Sequence, residues 1–179
     1  LQGCSKGGRV KISWRTTRLR MREDKKNLLD YFKRDGLGHP FFLLFNSSYL
    51  SVYLHRVSHY FFMNGYRILA RFFWHLNLLL TGADISPISD IGGGLVINYP
   101  LCVIVVGKIG KNCTLCGHGG LGGGRDTKDI GAGPGLPVIG DDVVMALGAF
   151  VLGAVRIGDG AYIGPRCLVM SDLENNSVV

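Results

Sequence analysis

An apolar, mostly aliphatic residue recurs at every sixth position through most of the second half of the chain. These positions are Ile85, Ile91, Ile97, Val103, Ile109, Leu115, Leu121, Ile139, Met145, Val151, Ile157, Ile163 and Val169. A period of six fits neither the 3.6-residue repeat of a helix nor the two-residue repeat of a strand. It is typical of a solenoid, in which each unit buries its apolar residue against its neighbours. The pattern therefore predicts a triangular parallel β-helix over 83–179.

We call these thirteen positions the ladder. The repeat is absent from residues 122–137 and then resumes in the same phase. That segment begins with glycines and charges and ends with glycines and prolines. Because the ladder continues undisturbed on both sides, we predict a loop that leaves the solenoid. Long loops on a rigid scaffold are frequently functional.

The region before the ladder, 21–82, has helical patterns instead. Charged and apolar residues over 22–36 predict a short amphipathic helix. Leucines and aromatics then dominate, and their spacing predicts further helices near 47–63 and 65–80, with a break at Gly65. Histidines and arginines interrupt these apolar runs before they reach the roughly 18 residues of a membrane span.

Each end of the sequence leads to one expectation. Met21 opens a natural start, so residues 1–20 are expected to be a non-native or disordered leader. The ladder runs to residue 179 without a polar capping unit, so we expect a truncated C-terminus.

The composition narrows the class of protein. Hydrophobic residues make up 47% and charged residues 18% of the chain, which argues against disorder. The formal net charge is +7, and its positive part is concentrated in residues 1–35. Aromatics are not interleaved there at regular spacing, so we expect no nucleic-acid partner. Contact of the basic and aromatic N-terminal region with a membrane surface is the less favoured alternative.

Cysteines and histidines raise the question of a metal site. The five cysteines form no disulfide framework, which favours a reducing compartment and a cytoplasmic protein. Cys113 and Cys116 have the spacing of a C-x-x-C pair, and His55 and His59 lie one helical turn apart. Neither pair has further ligands at metal spacing. We interpret all four as packing residues and expect no metal.

The ladder and the helical segment before it, over 49–179, resemble the hexapeptide-repeat acyltransferases, and in particular their serine acetyltransferase branch. The segments that carry this resemblance are 53–59, 81–87, 91–95, 121–124, 137–143 and 155–164. The resemblance implies a left-handed parallel β-helix, a homotrimer, and acetyl transfer from acetyl-CoA to serine or another small hydroxyl acceptor.

The resemblance also implies candidate contacts for acetyl-CoA. Small residues are needed where the pantetheine arm passes along the coils, and Gly123, Gly148 and Ala149 are the candidates. Arg125 and Lys128 in the loop are candidates to pair with the phosphates of CoA.

Acetyl transfer to a hydroxyl needs a base, a group that orients the base, and donors for the developing oxyanion. Asp84 matches the orienting carboxylate of the family. The family's two histidines are replaced by Tyr99 and Leu136. A tyrosine, with an ordinary pKa of about 10, is a poor base at neutral pH but a good hydrogen-bond donor. His118 is the one histidine of 83–179, so His118, Asp84 and Tyr99 are the candidate catalytic residues.

Two alternatives follow from these departures. The loop lacks the segment that recognises the amino acid in the family, which favours a sugar of a surface polysaccharide as the acceptor. The missing histidines favour a non-catalytic trimeric scaffold. A metal enzyme of the carbonic anhydrase kind is disfavoured, because it needs three histidines on adjacent coils.

Overall fold

The computed structural model describes residues 11–33, 46–125 and 127–179. Three helices come first: α1 Trp14–Lys33, α2 Ser47–Met63 and α3 Arg67–Thr81. α2 has the predicted bounds, and α3 begins two residues after the predicted start and ends one residue after the predicted end. The break between them includes Gly65, whose φ is +90°. No described helix is both long and apolar enough to cross a membrane.

Helix α1 begins earlier than the sequence predicted. Ser13 caps it, since the Ser13 hydroxyl accepts a 3.1 Å hydrogen bond from the backbone N–H of Thr16. Residues 14–20 are therefore helical, which corrects the expectation of a disordered leader for that part. Arg20 also contacts the solenoid, through a 2.9 Å bond to Asp90. Residues 1–10 and the predicted helix end at Gly36 lie outside the described residues.

Thirteen short strands follow the helices. They are β1 Asp84–Ile85, β2 Asp90–Ile91, β3 Val96–Ile97, β4 Ile104–Val105, β5 Lys108–Ile109, β6 Thr114–Leu115, β7 Gly120–Gly122, β8 Val138–Ile139, β9 Val144–Met145, β10 Phe150–Leu152, β11 Arg156–Ile157, β12 Tyr162–Ile163 and β13 Leu168–Val169. They form three parallel sheets, β1-β4-β7-β10-β13, β2-β5-β8-β11 and β3-β6-β9-β12, here called faces A, B and C. This is the predicted left-handed parallel β-helix.

All thirteen ladder residues are buried, with at most 5% of any side chain exposed. Ladder residues pair with one another in register on faces B and C. On face A, however, Ile85 pairs with Val105 and not with Val103. The reason is that the connection from β3 to β4 has six residues and the next has two, where the neighbouring connections have four. Val103 is nevertheless buried.

A buried ion pair joins the helices to the first coil. The guanidinium of Arg56 in α2 donates to both carboxylate oxygens of Asp24 in α1, at 2.9 and 3.0 Å. The same guanidinium donates to the carbonyls of Ile91 and Gly92. Asp24 in turn accepts from the backbone N–H of Leu95 at 2.9 Å. Both charges are thus satisfied between two helices and one corner of the prism.

His55 and His59 are buried at the same interface, as the packing interpretation predicted. His59 Nδ1 lies 2.9 Å from the carbonyl oxygen of Pro87. Burial lowers the pKa of both histidines, and the charges of His59 and Arg56 lower the pKa of His55 further. Both imidazoles are therefore neutral in the folded protein near neutral pH.

Replacement of Arg56 by Met should lower the free energy of unfolding by about 3–5 kcal/mol, because it leaves Asp24 buried without its partner. Urea unfolding measures this. Arg20→Met is the matched control; its ion pair with Asp90 is partly exposed, so its loss should be below about 1 kcal/mol. Equal losses in the two variants would contradict the proposed role of the buried pair.

The stability of the protein should fall as the pH drops below about 6.5. The unfolded chain takes up protons there at His55 and His59, whereas the folded chain resists protonation at both, so the slope approaches about 1.4 kcal/mol per pH unit for each histidine. Above that pH both histidines are neutral in either state and contribute no slope. Unfolding of His55→Asn at a series of pH values should show a shallower fall. The same fall in His55→Asn as in the unmodified protein would count against this origin, and His75→Asn, at an exposed site on α3, is the control.

Candidate functional site

Four of the predicted site residues lie along one edge of the prism. This edge, where face C turns into face A, is called the C–A edge and consists of residues 98–103, 116–119, 146–149 and 164–167. Tyr99, His118 and the pair Gly148 and Ala149 belong to it, on successive coils. The solenoid therefore brings together residues that are far apart in sequence.

Gly117, the residue before His118, packs directly on Tyr99 of the preceding coil. A Cβ on Gly117 would lie 2.5 Å from the Tyr99 carbonyl oxygen and 2.7 Å from the Tyr99 Cβ, so no side chain fits there. The φ of Gly117, +115°, also favours glycine. Tyr99 keeps its side chain 64% exposed, and His118, the next residue after Gly117, is exposed as well. The phenol and the imidazole thus share the outer surface of one edge.

The backbone of His118 is left-handed, with φ of +50°. Cys102, Gly148 and Arg166 are left-handed residues of the same edge, with φ of +57°, +75° and +58°. The geometry of His118 is therefore that of the turn and is not a sign of chemistry by itself. What singles out His118 is that it is exposed and directly follows Gly117, which packs on Tyr99.

Asp84 lies at the start of face A and is held by the helical region. Its Oδ1 accepts a 2.8 Å hydrogen bond from Trp74 Nε1 of α3. Asp84 pairs with Ile104, which pairs with Gly120, so Asp84 is two strand spacings, roughly 10 Å, from the strand that follows His118. Within the described part of the chain, no hydrogen bond joins Asp84 to the two other candidate catalytic residues.

The predicted loop leaves the prism at the other border of face A, after β7 ends at Gly122. It is closed at its base by a 3.2 Å bond from Gly124 N–H to the Gly135 carbonyl. Asp129 Oδ1 accepts the backbone N–H groups of Gly131 and Gly133, at 2.8 and 3.1 Å. The loop is thus ordered by its own bonds.

The loop is also attached to the coil above it. Arg156 donates a 2.6 Å hydrogen bond from Nη2 to the Ile130 carbonyl. Gly123, Arg125 and Lys128 are exposed on this loop, across face A from the C–A edge. The structure does not bring these three residues into contact with Tyr99 or His118.

Gly148 and Ala149 are adjacent but differ in where they point. Gly148 is partly exposed on the C–A edge, and a Cβ there would lie 3.2 Å from Cγ of Arg166. Ala149 is buried in the core of the prism. The backbone N–H and carbonyl of Ala149 are also hydrogen bonded within the prism, whereas Gly148 packs closely on the side chain of exposed Arg166.

A cleft of about 430 Å³, lined in part by Asn98, was not predicted from the sequence. It lies between α1 and face C, and Asn98 crosses it, with Nδ2 donating to the Tyr31 hydroxyl at 2.8 Å. The neighbouring carbonyl of Asn98 accepts from the Ser48 hydroxyl at 2.8 Å. The only sequence signal for this cleft is that Asn98 directly precedes Tyr99. The wall formed by α1 depends on how the helices pack, which the sequence pattern does not show.

The two cysteines of the C-x-x-C pair are poor nucleophiles at neutral pH. Burial raises the pKa of Cys113 to about 12. Burial also raises the pKa of Cys116, against the opposing effect of a hydrogen bond from Asn98. Among the described residues, no three His, Cys, Asp or Glu side chains form a cluster suited to a metal ion.

Comparisons with known proteins place this geometry in a family. The chain is 33% identical to a serine acetyltransferase of Bacillus pumilus over 131 residues, which cover 72% of this chain and 58% of that protein. It is 30% identical to a serine acetyltransferase of Bacillus subtilis over 159 residues, covering 87% and 71%. No family model matches the chain.

The fold comparison agrees. A soybean serine acetyltransferase solved in complex with serine superposes with a TM-score of 0.80 at 27% sequence identity, over 92% of this chain and 66% of that one. This chain thus spans about three fifths to two thirds of the length of several of its relatives. On the shared coils, helices and ladder, the chain belongs to the serine acetyltransferase family.

Proposed function

We propose that this chain is an acetyl-CoA-dependent O-acetyltransferase that acts on serine or another small hydroxyl acceptor, as a cytoplasmic homotrimer. The family membership supports the reaction class. The observation that carries the proposal for this particular chain is that Tyr99 and His118 are both exposed on successive coils of the C–A edge. A base and a hydrogen-bond donor are what acyl transfer to a hydroxyl requires.

In the proposed reaction, the acceptor oxygen attacks the thioester carbonyl carbon while the acceptor proton passes to His118. The carbonyl oxygen becomes negatively charged, and the Tyr99 hydroxyl donates a hydrogen bond to it. The carbon–sulfur bond then breaks, and the proton on His118 passes to the leaving thiolate of CoA. The products are the acetyl ester and free CoA.

Asp84 is proposed as a positioning residue. Its Oδ1 accepts the hydrogen bond from Trp74 Nε1, which fixes the carboxylate against α3. Asp84 lies two strand spacings from the strand that follows His118, and the proposal places the acceptor between the two residues.

Several features of the C–A edge and the loop fit the donor. Acetyl-CoA supplies the activated acetyl group and carries several phosphates. Gly148 packs closely on the side chain of exposed Arg166, and a planar guanidinium suits phosphate oxygens. Arg125 and Lys128 are exposed on the loop and remain the candidate phosphate contacts there, with Gly123 at the base of the loop.

Two alternatives remain to be tested beside this proposal. A sugar hydroxyl is the alternative acceptor, since the loop differs from that of the amino-acid enzymes. A trimeric scaffold without catalysis is the alternative from another class, since Tyr99 and Leu136 stand where the family has histidines.

The decisive experiment supplies the purified protein with acetyl-CoA and either serine, homoserine or a panel of sugars. Acetylated product should be followed by mass spectrometry, because exposed Cys102 would react with a thiol reagent. The proposal predicts product with at least one acceptor. No product from any acceptor, together with no binding of CoA by calorimetry, would favour the scaffold.

Replacement of His118 by Ala should lower turnover by about 10² or more while leaving the affinity for CoA unchanged, because it removes the base but no donor contact. His75→Ala is the matched control, since His75 is exposed on α3 away from the edge. Steady-state rates and calorimetry separate the two effects. Unchanged turnover in His118→Ala would remove His118 from the mechanism.

Replacement of Tyr99 by Phe tests the phenol alone. Loss of one donor to the oxyanion should lower kcat by about 10²-fold with little change in KM. Tyr162→Phe, at an exposed tyrosine on β12, should leave both constants unchanged. A normal rate for Tyr99→Phe would show that the phenol takes no part, whereas faster turnover by Tyr99→His would indicate that this position accepts a base.

A further inference from the structure

Helix α3 is packed with its apolar side outward. Its buried residues are Ala70, Asn77 and Thr81, which are small or polar. The residues on the opposite side are Ile68, Phe72 and Leu79, with 86%, 59% and 82% of their surface exposed. These three lie on one stripe of the helix, and we call that stripe the α3 outer face. An amphipathic helix normally buries the apolar stripe, so this arrangement needs a physical explanation.

Hydrogen bonds on the inner side fix the rotation of α3. The carbonyl of Ala70 accepts a 2.7 Å bond from the Ser58 hydroxyl of α2. Asn77 donates from Nδ2 to the Ser51 carbonyl, also of α2, at 3.0 Å. To turn the apolar stripe inward, α3 would have to break these buried bonds. The α3 outer face is therefore a stable surface of the fold, and whatever covers it comes from outside the helical packing described here.

The start of α1 extends this surface with the same kinds of residue. Asn64, in the turn before α3, donates a 3.0 Å hydrogen bond to the carbonyl of Ile12. The Trp14 and Tyr60 rings are 4.9 Å apart. This contact places exposed Trp14 beside the turn that carries exposed Tyr66. Amphipathic rings of this kind favour the headgroup region of a bilayer.

The charges around this surface have one sign. Its exposed basic residues are Lys11, Arg15, Arg18, Arg22, Arg67 and Arg71. The described stretches 11–22 and 46–83 contain no Asp or Glu. If two copies met through this surface, these cations would have no carboxylate of the same surface to pair with. An anionic lipid surface offers both the negative charge and the apolar medium that the surface lacks.

We infer that the α3 outer face and the start of α1 dock this protein on an anionic lipid surface. Helix α3 lies in the plane of the headgroups, with Ile68, Phe72 and Leu79 inserted among the upper acyl chains. Arg67 and Arg71 contact the lipid phosphates from the flank of the helix. This attachment is peripheral and reversible, because it relies on one short apolar stripe and on charge. It does not depend on the proposed acetyl transfer.

The inference is tested by flotation of the protein with two kinds of vesicle. One is phosphatidylcholine alone, and the other is phosphatidylcholine and phosphatidylglycerol in equal amounts. The protein should float with the anionic vesicles and far less with the neutral ones. Binding should weaken when salt rises from about 0.1 M to about 1 M, because the Debye length shortens from about 10 Å to about 3 Å. Absence of binding to the anionic vesicles would overturn the inference.

Variants assign the binding to the surface named. Ile68→Ser, Phe72→Ser and Leu79→Ser together should weaken vesicle binding by at least about tenfold, since three side chains no longer enter the apolar layer. The matched control replaces Ile88, Leu168 and Met170, exposed apolar residues of the solenoid, by Ser and should leave binding unchanged. Equal losses in both triple variants would overturn the assignment to α3.

A second pair of variants covers the case in which the triple variant fails to fold. Arg67→Gln with Arg71→Gln changes only exposed charges, and it should weaken binding to anionic vesicles several-fold at low salt. Lys108→Gln with Lys111→Gln, on the solenoid, is its control and should have no effect. Sedimentation velocity on the same variants tests the alternative occupant. If the α3 variants change the number of subunits and never alter vesicle binding, the surface joins copies of this chain and the lipid inference is wrong.

Discussion

The buried pairing of Arg56 with Asp24 is the constraint on which the rest of the arrangement depends. Two charges away from water are tolerated only because each is bonded several times, and those bonds come from α1, α2 and the first corner of the prism. No pair of these three elements can shift without leaving a charge unsatisfied. The helices are therefore docked in one orientation on the first coil, and the neutral histidines beside them fill the same interface.

That orientation decides what each side of the molecule presents. With α2 fixed, the polar residues of α3 find their partners on α2, and Trp74 reaches Asp84 at the start of face A. The same rotation turns Ile68, Phe72 and Leu79 outward. One packing arrangement thus fixes the Asp84 carboxylate at the start of face A and produces the apolar face from which membrane docking is inferred.

The fold could be predicted from the sequence because the core residues of a solenoid recur at a short, fixed spacing. Each ladder residue is buried for the same reason, so the pattern repeats and α2 and α3 follow from ordinary helical spacing. The start of α1 does not follow from Met21, because the helix begins seven residues earlier, where Ser13 serves as its cap. The position of His118 relative to Tyr99 is set by the packing of Gly117 on Tyr99. The separation of Asp84 from both residues is set by the strand register. Neither quantity is visible without knowing which residues stack.

The unequal connections on either side of β4 have a consequence for how this protein can vary. Six residues precede the strand and two follow it, so the two departures cancel and the next coil resumes its usual spacing. The chain therefore accommodates a wider bend beside Tyr99 without passing any shift to the coils beyond. A single insertion in that bend would displace every later side chain by one position, whereas an insertion matched by a deletion after β4 would not. The bend that carries Tyr99 can therefore change in shape, in evolution or in engineering, without disturbing the rest of the prism.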